Sequence, residues 1–300
     1  MACGYGKVIL FGEHAVVYGY PALAAGLKVG INCKVVSEDE KFSISIPDWN
    51  LEIDEKTESP LGCAFRIILS KISGIKQCRM EIKPDIPSRA GLGSSAATIV
   101  SIIRSLIEWH NLNWTNQQIN ELALEAETSF HGTPSGIDNT VSTYGGLCFL
   151  CDSNRFELPQ GKLRIQLKKV AAVLLPQVLE PIRIIVINTK RQRETKNLIE
   201  HVKQKLSEDE AKYLSYFDKI GSFSVKGYDL LRKKDHNNFG KLMLENHYML
   251  QNLGVSCKEL DMAFELVMKE GAIGAKLTGA GGGGCLIALS PGNESKIIED

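Results

Sequence analysis

A loop rich in glycine and hydroxyl side chains stands directly before a long apolar stretch. The segment RAGLGSSAAT, residues 89–98, runs into IVSIIRSLI. Glycine lets the backbone approach a ligand closely, and a helix N-terminus offers unpaired N–H groups at the positive end of its dipole. The two serine hydroxyls add hydrogen-bond donors and a ligand for a metal ion. We therefore predict a phosphate-binding loop, with an ordinary serine helix cap as the alternative.

Two acidic residues flank a second polar segment, LEAETSFHGTPSGIDN, at residues 124–139. Glu127 lies near the end of an otherwise apolar helix, and Asp138 follows a Pro-Ser-Gly turn. Phosphoryl transfer needs a ligand for a hard cation and often a carboxylate near the nucleophile. The turn could bring both carboxylates to one site, although either acid alone fits a solvated surface residue. We interpret His131 as a structural hydrogen-bonding residue rather than a catalyst.

A third motif, KLTGAGGGGC at residues 276–285, contains four consecutive glycines. It matches GxGxxG, but a dinucleotide-binding fingerprint must open a helix and be followed by an acidic residue about twenty positions later. The strand-like CLIALS follows instead. The motif is therefore either a flexible hairpin turn or a loop that packs near nucleotide phosphates.

Strand and helix patterns surround these motifs and must position them. Alternating or continuous apolar residues predict strands, and apolar residues at helical spacing predict helices. In the first half, the predicted strands are KVILFG, FSISIP and CRMEIKPDI, and the predicted helices are residues 61–72, 94–110 and 116–131. Later, we predict two buried strands within 170–187, helices through 195–270 and a hairpin over 272–290. The pattern indicates two α+β domains joined near residues 160–185, with a cleft as the ligand site.

The composition excludes several classes of protein. Lys+Arg and Asp+Glu balance at 35 each, so no basic field indicates nucleic-acid binding. The start shows no signal peptide, and two prolines and two charged residues interrupt the most apolar stretch, which argues against a membrane span. We expect a cytoplasmic protein with reduced cysteines. Cys148 and Cys151 are predicted to be core residues, because a zinc ribbon needs a second CxxC pair.

The segments GKVILFGEHAVVYG, IPSRAGLGSSAA, HGTPSGIDN and KLTGAGGGGC together resemble the three signature regions of the GHMP kinases. The resemblance covers nearly the whole chain, in the family's order and at suitable spacing. GLGSSAA is typical of the whole family, whereas the first and third segments resemble the members that act on mevalonate. Galactokinases have a similar start but typically carry Asp-Tyr where this chain has Val16 and Val17.

The resemblance implies a role for each matching position. Asp138 would be the base for the C5 hydroxyl of mevalonate, and Lys7 would lower the pKa of that hydroxyl and contact phosphate. Mg²⁺, bound with ATP, would be held by Ser95 and Glu127. The implied contacts with ATP are Lys7, Arg89, Ala90, Gly91, Leu92, Gly93, Ser94 and Ser95, and those with mevalonate are Glu13, His14 and Thr195.

The resemblance also implies an α+β, two-domain GHMP kinase fold. Its N-terminal domain, of the ribosomal-S5-domain-2-like type, would cover residues 1–180, and a C-terminal α+β domain would cover 181–300. A homodimer is implied, as is feedback binding of isoprenoid diphosphates at the ATP site. Related chains usually run on for several tens of residues past the last glycine loop, whereas fifteen residues follow Cys285. We therefore expect the second domain to lack its closing helix and strand, with a fragment of a longer chain and a natural short variant as the two alternatives.

Two other kinds of function fit the motifs. Phosphomevalonate kinase and the ATP-dependent diphosphomevalonate decarboxylase are sister enzymes, but both act on a phosphorylated acid and should want extra basic residues around it. A non-catalytic ligand sensor on this scaffold would have no need of Lys7, Glu127 and Asp138 together. The motifs favour the kinase that opens isoprenoid and sterol precursor synthesis.

Overall fold

The chain forms two compact units of mixed secondary structure. The computed structural model describes residues 1–88, 90–131, 134–166, 171–175, 182–191, 195–290 and 292, without the side chains of 195 and 196. The first unit comprises residues 1–7, 26–88 and 93–146, and the second comprises 8–25, 89–92 and 147–300. Each unit contains helices and strands, which confirms the α+β class. The limits 1–180 and 181–300 for the two family domains stay a prediction.

The first unit contains a small mixed sheet. Its strands are β1 (Ala2–Phe11) and β2 (Ala22–Glu38), which also contribute residues to the second unit, then β3 (Ser43–Ile46), β4 (Leu51–Asp54) and β5 (Cys78–Pro84). β5 pairs antiparallel with β2 and parallel with β3, and β3 pairs antiparallel with β4. Successive side chains of a strand point to opposite faces. Accordingly, Ile44 and Ile46 are buried while Ser43 and Ser45 are half-buried.

Helices cover the core of the first unit. They are α1 (Pro60–Lys71), α2 (Ser94–Trp109), α3 (Asn116–His131) and α4 (Ile137–Tyr144). Ser59 caps α1 by accepting a hydrogen bond from the Gly62 N–H, and Pro60 suits the first helical position. The predicted helices α1 to α3 are confirmed within a residue or two at each end. α4, which carries Asp138, was not predicted.

The second unit begins with strands and continues with long helices. Its further elements, in chain order, are β6 (Leu147–Cys151), β7 (Leu163–Gln166), β8 (Ala171–Leu174), β9 (Ile184–Asn188), α5 (Thr195–Glu208), α6 (Glu210–Arg232), α7 (His236–Asn252), α8 (Lys258–Lys269), β10 (Gly274–Leu277) and β11 (Cys285–Leu289). β6 pairs antiparallel with the first residues of β2 and with β8, and β8 pairs with β7. A separate antiparallel sheet has the order β10-β11-β9.

The structure confirms the main predictions for the second half of the chain. The hairpin over 272–290 is β10 and β11, and the two strands within 170–187 are β8 and β9, while the turn at 176–181 lies outside the described residues. β8 is largely buried as predicted, whereas β9 is only half-buried, so that part of the prediction is wrong. Within the predicted helical region 195–270, the chain divides at Asp209 into α5 and α6. That aspartate accepts a hydrogen bond from the Lys212 N–H and so starts a new helix.

The cysteines are free, and most are buried. Cys148 and Cys151 both lie in β6 and are fully buried, which confirms that they are core residues. Burial raises the pKa of the Cys148 thiol to about 12. Within the described part of the chain, no helix combines the length and the apolar character needed to cross a membrane.

Candidate active site

Lys7 and Asp138 form an ion pair in the first unit. Lys7 lies on β1, Asp138 lies in the first turn of α4, and Lys7 Nζ is 2.9 Å from Asp138 Oδ1. The lysine side chain is 5% exposed and the aspartate side chain 29% exposed, so solvent reaches the pair from the aspartate side. The first turn of a helix favours an ionised carboxylate, because the partial charge there is positive. The pair presents a cation and a proton acceptor side by side.

Gly93 provides the space that the Lys7 side chain occupies. Its φ of 73° lies in the left-handed region, and a Cβ built on it would stand 2.8 Å from Lys7 Cγ. Both the backbone conformation and the close approach therefore require glycine. The second glycine of the GLG sequence thus fixes where Lys7 lies relative to the start of α2.

The N-terminus of α2 is open to an anion. Its N-cap, Gly93, has no side chain and makes no capping hydrogen bond, whereas Ser59 and Asp235 cap α1 and α7. Ser94 and Ser95 are already the first two helical residues, so the ordinary serine cap is wrong. Uncapped N–H groups at a helix start are suited to bind phosphate.

The residues before Gly93 are only partly described. Ala90 and Leu92 are buried, and Gly91 has a φ of 93°, which favours glycine. Arg89, predicted to contact ATP, lies outside the described residues. The side chain of Thr195, predicted to contact mevalonate, also lies outside them, although its backbone begins α5.

Glu127 is a buried carboxylate beside Ser95. Its 1% exposure shows that the interpretation as a solvated surface residue is wrong. Ser95 Oγ donates to Glu127 Oε1 at 3.3 Å, and the backbone N–H of Asn139 also donates to this carboxylate. Burial and, second, the negative charge of Asp138 raise the pKa of Glu127 to about 8. The two acids of the second motif therefore interact, and their charges call for a cation or a proton.

His131 lies at the edge of this group. Its Nε2 is 3.5 Å from Ser95 Oγ, and its side chain is exposed. Among the described residues, no three His, Cys, Asp or Glu side chains form a metal centre. A metal ion at Glu127 would therefore take other ligands from hydroxyl groups, phosphate or water.

The raised pKa of Glu127 predicts a specific pH dependence of stability without metal. The folded protein keeps the proton to about pH 8, whereas an unfolded glutamate releases it near its ordinary pKa of 4.5. The folded state thus binds more protons between these values, and stability falls as pH rises through this window. In EDTA, the free energy of unfolding should fall by more than about 1 kcal/mol between pH 5 and pH 8 through this group alone. Glu127→Gln should abolish this component, which urea titrations measure.

Glu125→Gln is the matched control, because Glu125 is a half-exposed acid on the same helix, paired with Lys71 at the surface. It should leave the difference between pH 5 and pH 8 unchanged. An identical pH dependence in the wild type and in Glu127→Gln would show that Glu127 is ionised at low cost in the folded protein.

A second polar cluster follows β1 in the second unit. It begins at Gly12, whose φ of 102° and contact with Ala22 exclude a side chain. His14 has a φ of 60°, an uncommon value for a residue with a side chain. His14 Nε2 is 2.9 Å from the carbonyl oxygen of Ala280, so Nε2 carries the hydrogen and donates it. Because burial lowers the pKa of His14, its ring is neutral and Nδ1 is an acceptor.

Glu13 is buried among partners from β10 and α7. Lys276 Nζ donates to Glu13 Oε1, and Asn246 Nδ2 donates to Glu13 Oε2 at 3.2 Å. Neither partner of Glu13 was predicted from the sequence. The signal in the sequence is a lysine within the apolar strand GAKLTG, because a charge buried on a strand needs a buried counter-charge.

Comparison with known protein families and sequences gives concordant matches. The GHMP kinases N terminal domain matches residues 60–146, and the GHMP kinases C terminal domain matches residues 228–300. A mevalonate kinase of Thermococcus onnurineus is 32% identical over 322 residues, covering 99% of this chain and 91% of that protein.

Solved structures agree with these matches. The L. major mevalonate kinase in complex with R-mevalonate is 29% identical with a TM-score of 0.83, covering 99% of this chain and 89% of that chain. A Streptococcus pneumoniae phosphomevalonate kinase is 16% identical with a TM-score of 0.75, covering 99% of this chain and 94% of that chain. At that identity, the second match shows the fold alone.

Proposed function

This chain belongs to the GHMP kinase family, among the mevalonate kinases, and on that premise we propose that it transfers the γ-phosphoryl group of ATP to the C5 hydroxyl of mevalonate. The products are 5-phosphomevalonate and ADP, and the step is the first phosphorylation in isoprenoid and sterol precursor synthesis. The observation that carries the proposal is the 2.9 Å contact of Lys7 Nζ with Asp138 Oδ1 beside the start of α2.

Asp138 and Lys7 act together on the acceptor in the proposed mechanism. The Asp138 carboxylate takes the C5 hydroxyl proton while the new O–P bond forms and the bond from the γ-phosphorus to the β–γ bridging oxygen breaks. The Lys7 ammonium stabilises negative charge that develops on the transferring group and orients the carboxylate. Because the transition state is loose, much of the benefit comes from positioning.

The nucleotide is assigned to the loop that ends at α2. Residues 89–95 carry the predicted ATP contacts: Arg89, Ala90, Gly91, Leu92, Gly93, Ser94 and Ser95. The open N-terminus of α2 supports this assignment, because its N–H groups and dipole favour a polyphosphate. Lys7, beside Gly93, adds a buried cation for the γ-phosphate.

A magnesium ion fits the donors around Glu127. The carboxylate is buried with its pKa raised, so a dication would compensate a charge that water does not reach. Ser95 and Glu127 would hold the ion, in keeping with the preference of Mg²⁺ for few protein oxygens together with phosphates and water. When bound, Mg²⁺ neutralises charge on the β- and γ-phosphates.

Mevalonate is assigned to Glu13, His14 and Thr195. Mevalonate carries one carboxylate and two hydroxyl groups, so it needs both donors and acceptors. Glu13 and the neutral His14 ring supply acceptors for hydroxyl hydrogens, and the resemblance to the family implies that Thr195 also faces mevalonate. The buried, hydrogen-bonded state of Glu13 and His14 supports a binding role over a surface one.

The proposal extends to assembly, regulation and location. Family membership supports a homodimer in the cytoplasm and competition by isoprenoid diphosphates, whose two phosphates resemble those of ATP. Light scattering of the purified protein tests the dimer. Inhibition by farnesyl diphosphate that is relieved by raised ATP would support a shared site, whereas inhibition independent of ATP would place the lipid elsewhere.

The substrate assignment is tested by an assay that couples ADP release to NADH oxidation. With Mg-ATP, mevalonate should give fast turnover, and phosphomevalonate and galactose should give little. Phosphomevalonate needs extra cations around its phosphate, which a site for a neutral hydroxyl does not require. Galactose is disfavoured because Val16 and Val17 stand where galactokinases typically carry Asp-Tyr. Equal or better rates with phosphomevalonate would favour the sister enzyme. If none of the three compounds is turned over, the kinase proposal is contradicted.

A further inference from the structure

The third glycine motif, residues 276–285, contacts the end of β1 and the residues that follow it. Every second residue from 276 to 280 makes such a contact. These contacts are Lys276 with the Glu13 carboxylate, Thr278 with both backbone groups of Ile9, and the Ala280 carbonyl with His14. The motif therefore holds Glu13 and His14, two of the three residues to which mevalonate is assigned. That is a positioning task, distinct from contact with phosphates.

The Lys276 ammonium group uses all of its hydrogen-bond donors inside the protein. Its side chain is fully buried, and its three N–H donors have three acceptors: Glu13 Oε1, the Leu277 carbonyl at 2.7 Å and the Ile9 carbonyl at 3.4 Å. Burial lowers the pKa of Lys276, and the charge of Glu13 opposes that effect. Such a lysine has no donor left for solvent or for a ligand, so any influence on the substrate passes through Glu13.

Hydrogen bonds to both carboxylate oxygens fix the orientation of Glu13. Lys276 donates to Oε1, and Asn246 Nδ2 donates to Oε2. Asn246 Oδ1, by contrast, is buried and has no hydrogen-bond partner among the described residues. A buried acceptor without a partner is costly, and a hydroxyl hydrogen would satisfy it.

Stability alone does not explain this arrangement. Replacing a buried ion pair with apolar residues of similar size is often neutral or stabilising, because desolvation of the two charges offsets their attraction. A carboxylate that must stay ionised away from water, however, needs a cation and fixed donors. The pair therefore fits a functional requirement on Glu13 better than a requirement of the core.

We propose that Lys276 is a positioning residue that compensates the charge of the buried Glu13 carboxylate and holds it in one orientation, and thereby sets the affinity for mevalonate. This rests on the proposed function, in which Glu13 accepts a hydrogen bond from a mevalonate hydroxyl. Two carboxylates repel each other, so the substrate binds with its hydroxyl side toward Glu13 and its acid group away from it.

The test separates affinity for mevalonate from affinity for ATP and from stability. Lys276→Met should raise KM for mevalonate about 10- to 100-fold, as loss of a charge-assisted hydrogen bond predicts, while KM for Mg-ATP stays within about twofold. Glu13→Gln should raise KM for mevalonate similarly. The double variant should regain thermal stability relative to Lys276→Met, because no unpaired buried charge remains, yet keep the raised KM.

Ser224→Ala is the control variant, because it removes another buried hydrogen bond of the second unit, from Ser224 Oγ to the Pro21 carbonyl, without touching Glu13. It should lower stability and leave both KM values unchanged. If Lys276→Met does not fold, Asn246→Ala tests the other donor to Glu13 and should also raise KM for mevalonate selectively, about 3- to 10-fold.

Three results with the Lys276 and Asn246 variants would overturn the inference. One is a folded Lys276→Met with an unchanged KM for mevalonate. Another is an equal rise in both KM values. The third, if only Asn246→Ala folds, is an unchanged KM for mevalonate in that variant. The proposed function fails separately, if the wild type does not turn over mevalonate. An unchanged KM in Glu13→Gln overturns the assignment of Glu13 and the inference with it, while leaving the kinase activity standing.

Discussion

Asp138→Asn is expected to lower kcat by ~10²–10⁴-fold, the usual cost of losing a general base, with fold and ATP affinity retained. Asparagine has nearly the shape of aspartate and keeps an oxygen that can accept the hydrogen bond from Lys7 at the observed 2.9 Å. It does not take a proton from the acceptor hydroxyl. The loss should therefore appear at saturating mevalonate and Mg-ATP.

The matched control is Asp54→Asn, which breaks another lysine–aspartate pair of the first unit, with Lys41 at 3.1 Å on the surface. Surface pairs contribute little, so this variant should keep its kcat. Circular dichroism and nucleotide binding confirm that both variants are folded. Loss of a general base should lower kcat far more than about threefold. A kcat for Asp138→Asn within about threefold of the wild type would therefore contradict the assignment of Asp138 as a base.

Local patterns were sufficient for most elements of the fold. The apolar spacing of α1 to α3 and the alternation in FSISIP each specify one buried face, so sequence alone predicted them. α4 was missed because IDNTVSTY is short and contains several weak helix formers. Tertiary contacts stabilise it: Asn139 Nδ2 donates to Asn120 Oδ1 at 2.6 Å, and Asn120 donates to Thr140.

The candidate site was predictable where one segment carries its own chemistry, and hidden where partners are distant in sequence. The glycines and serines before α2 indicated phosphate binding without a structure. Lys7 and Asp138 lie 131 positions apart, and only the resemblance to a family connected them beforehand. Lys276 and Glu13 are separated by 263 positions, and no local pattern relates a lysine in one strand to an acid after another. Burial, too, depends on the whole fold, which is why Glu127 looked like a surface residue by type.

Lys7→Met is expected to lower kcat about 10²–10³-fold, as removal of one charge-stabilising donor typically does, and to weaken Mg-ATP binding as well. Methionine retains an unbranched stem that can pack beside Gly93, so the change removes the ammonium with little loss of packing. Lys41→Met, which removes the partner of Asp54 at the surface, is the control and should leave both values unchanged. Wild-type kcat in Lys7→Met would contradict a role in transfer.

The double variant Lys7→Met/Asp138→Asn decides whether the two residues serve one step. If the ammonium both steadies the transferring group and orients the carboxylate, then either single change already removes most of what the pair supplies. The combined loss in kcat should therefore be close to the larger single loss and well below the product of the two. Losses that multiply would mean that Lys7 and Asp138 act independently, and the 2.9 Å contact would then have no part in catalysis. Single-turnover measurements with saturating mevalonate report the rate of the chemical step, so product release does not affect this comparison.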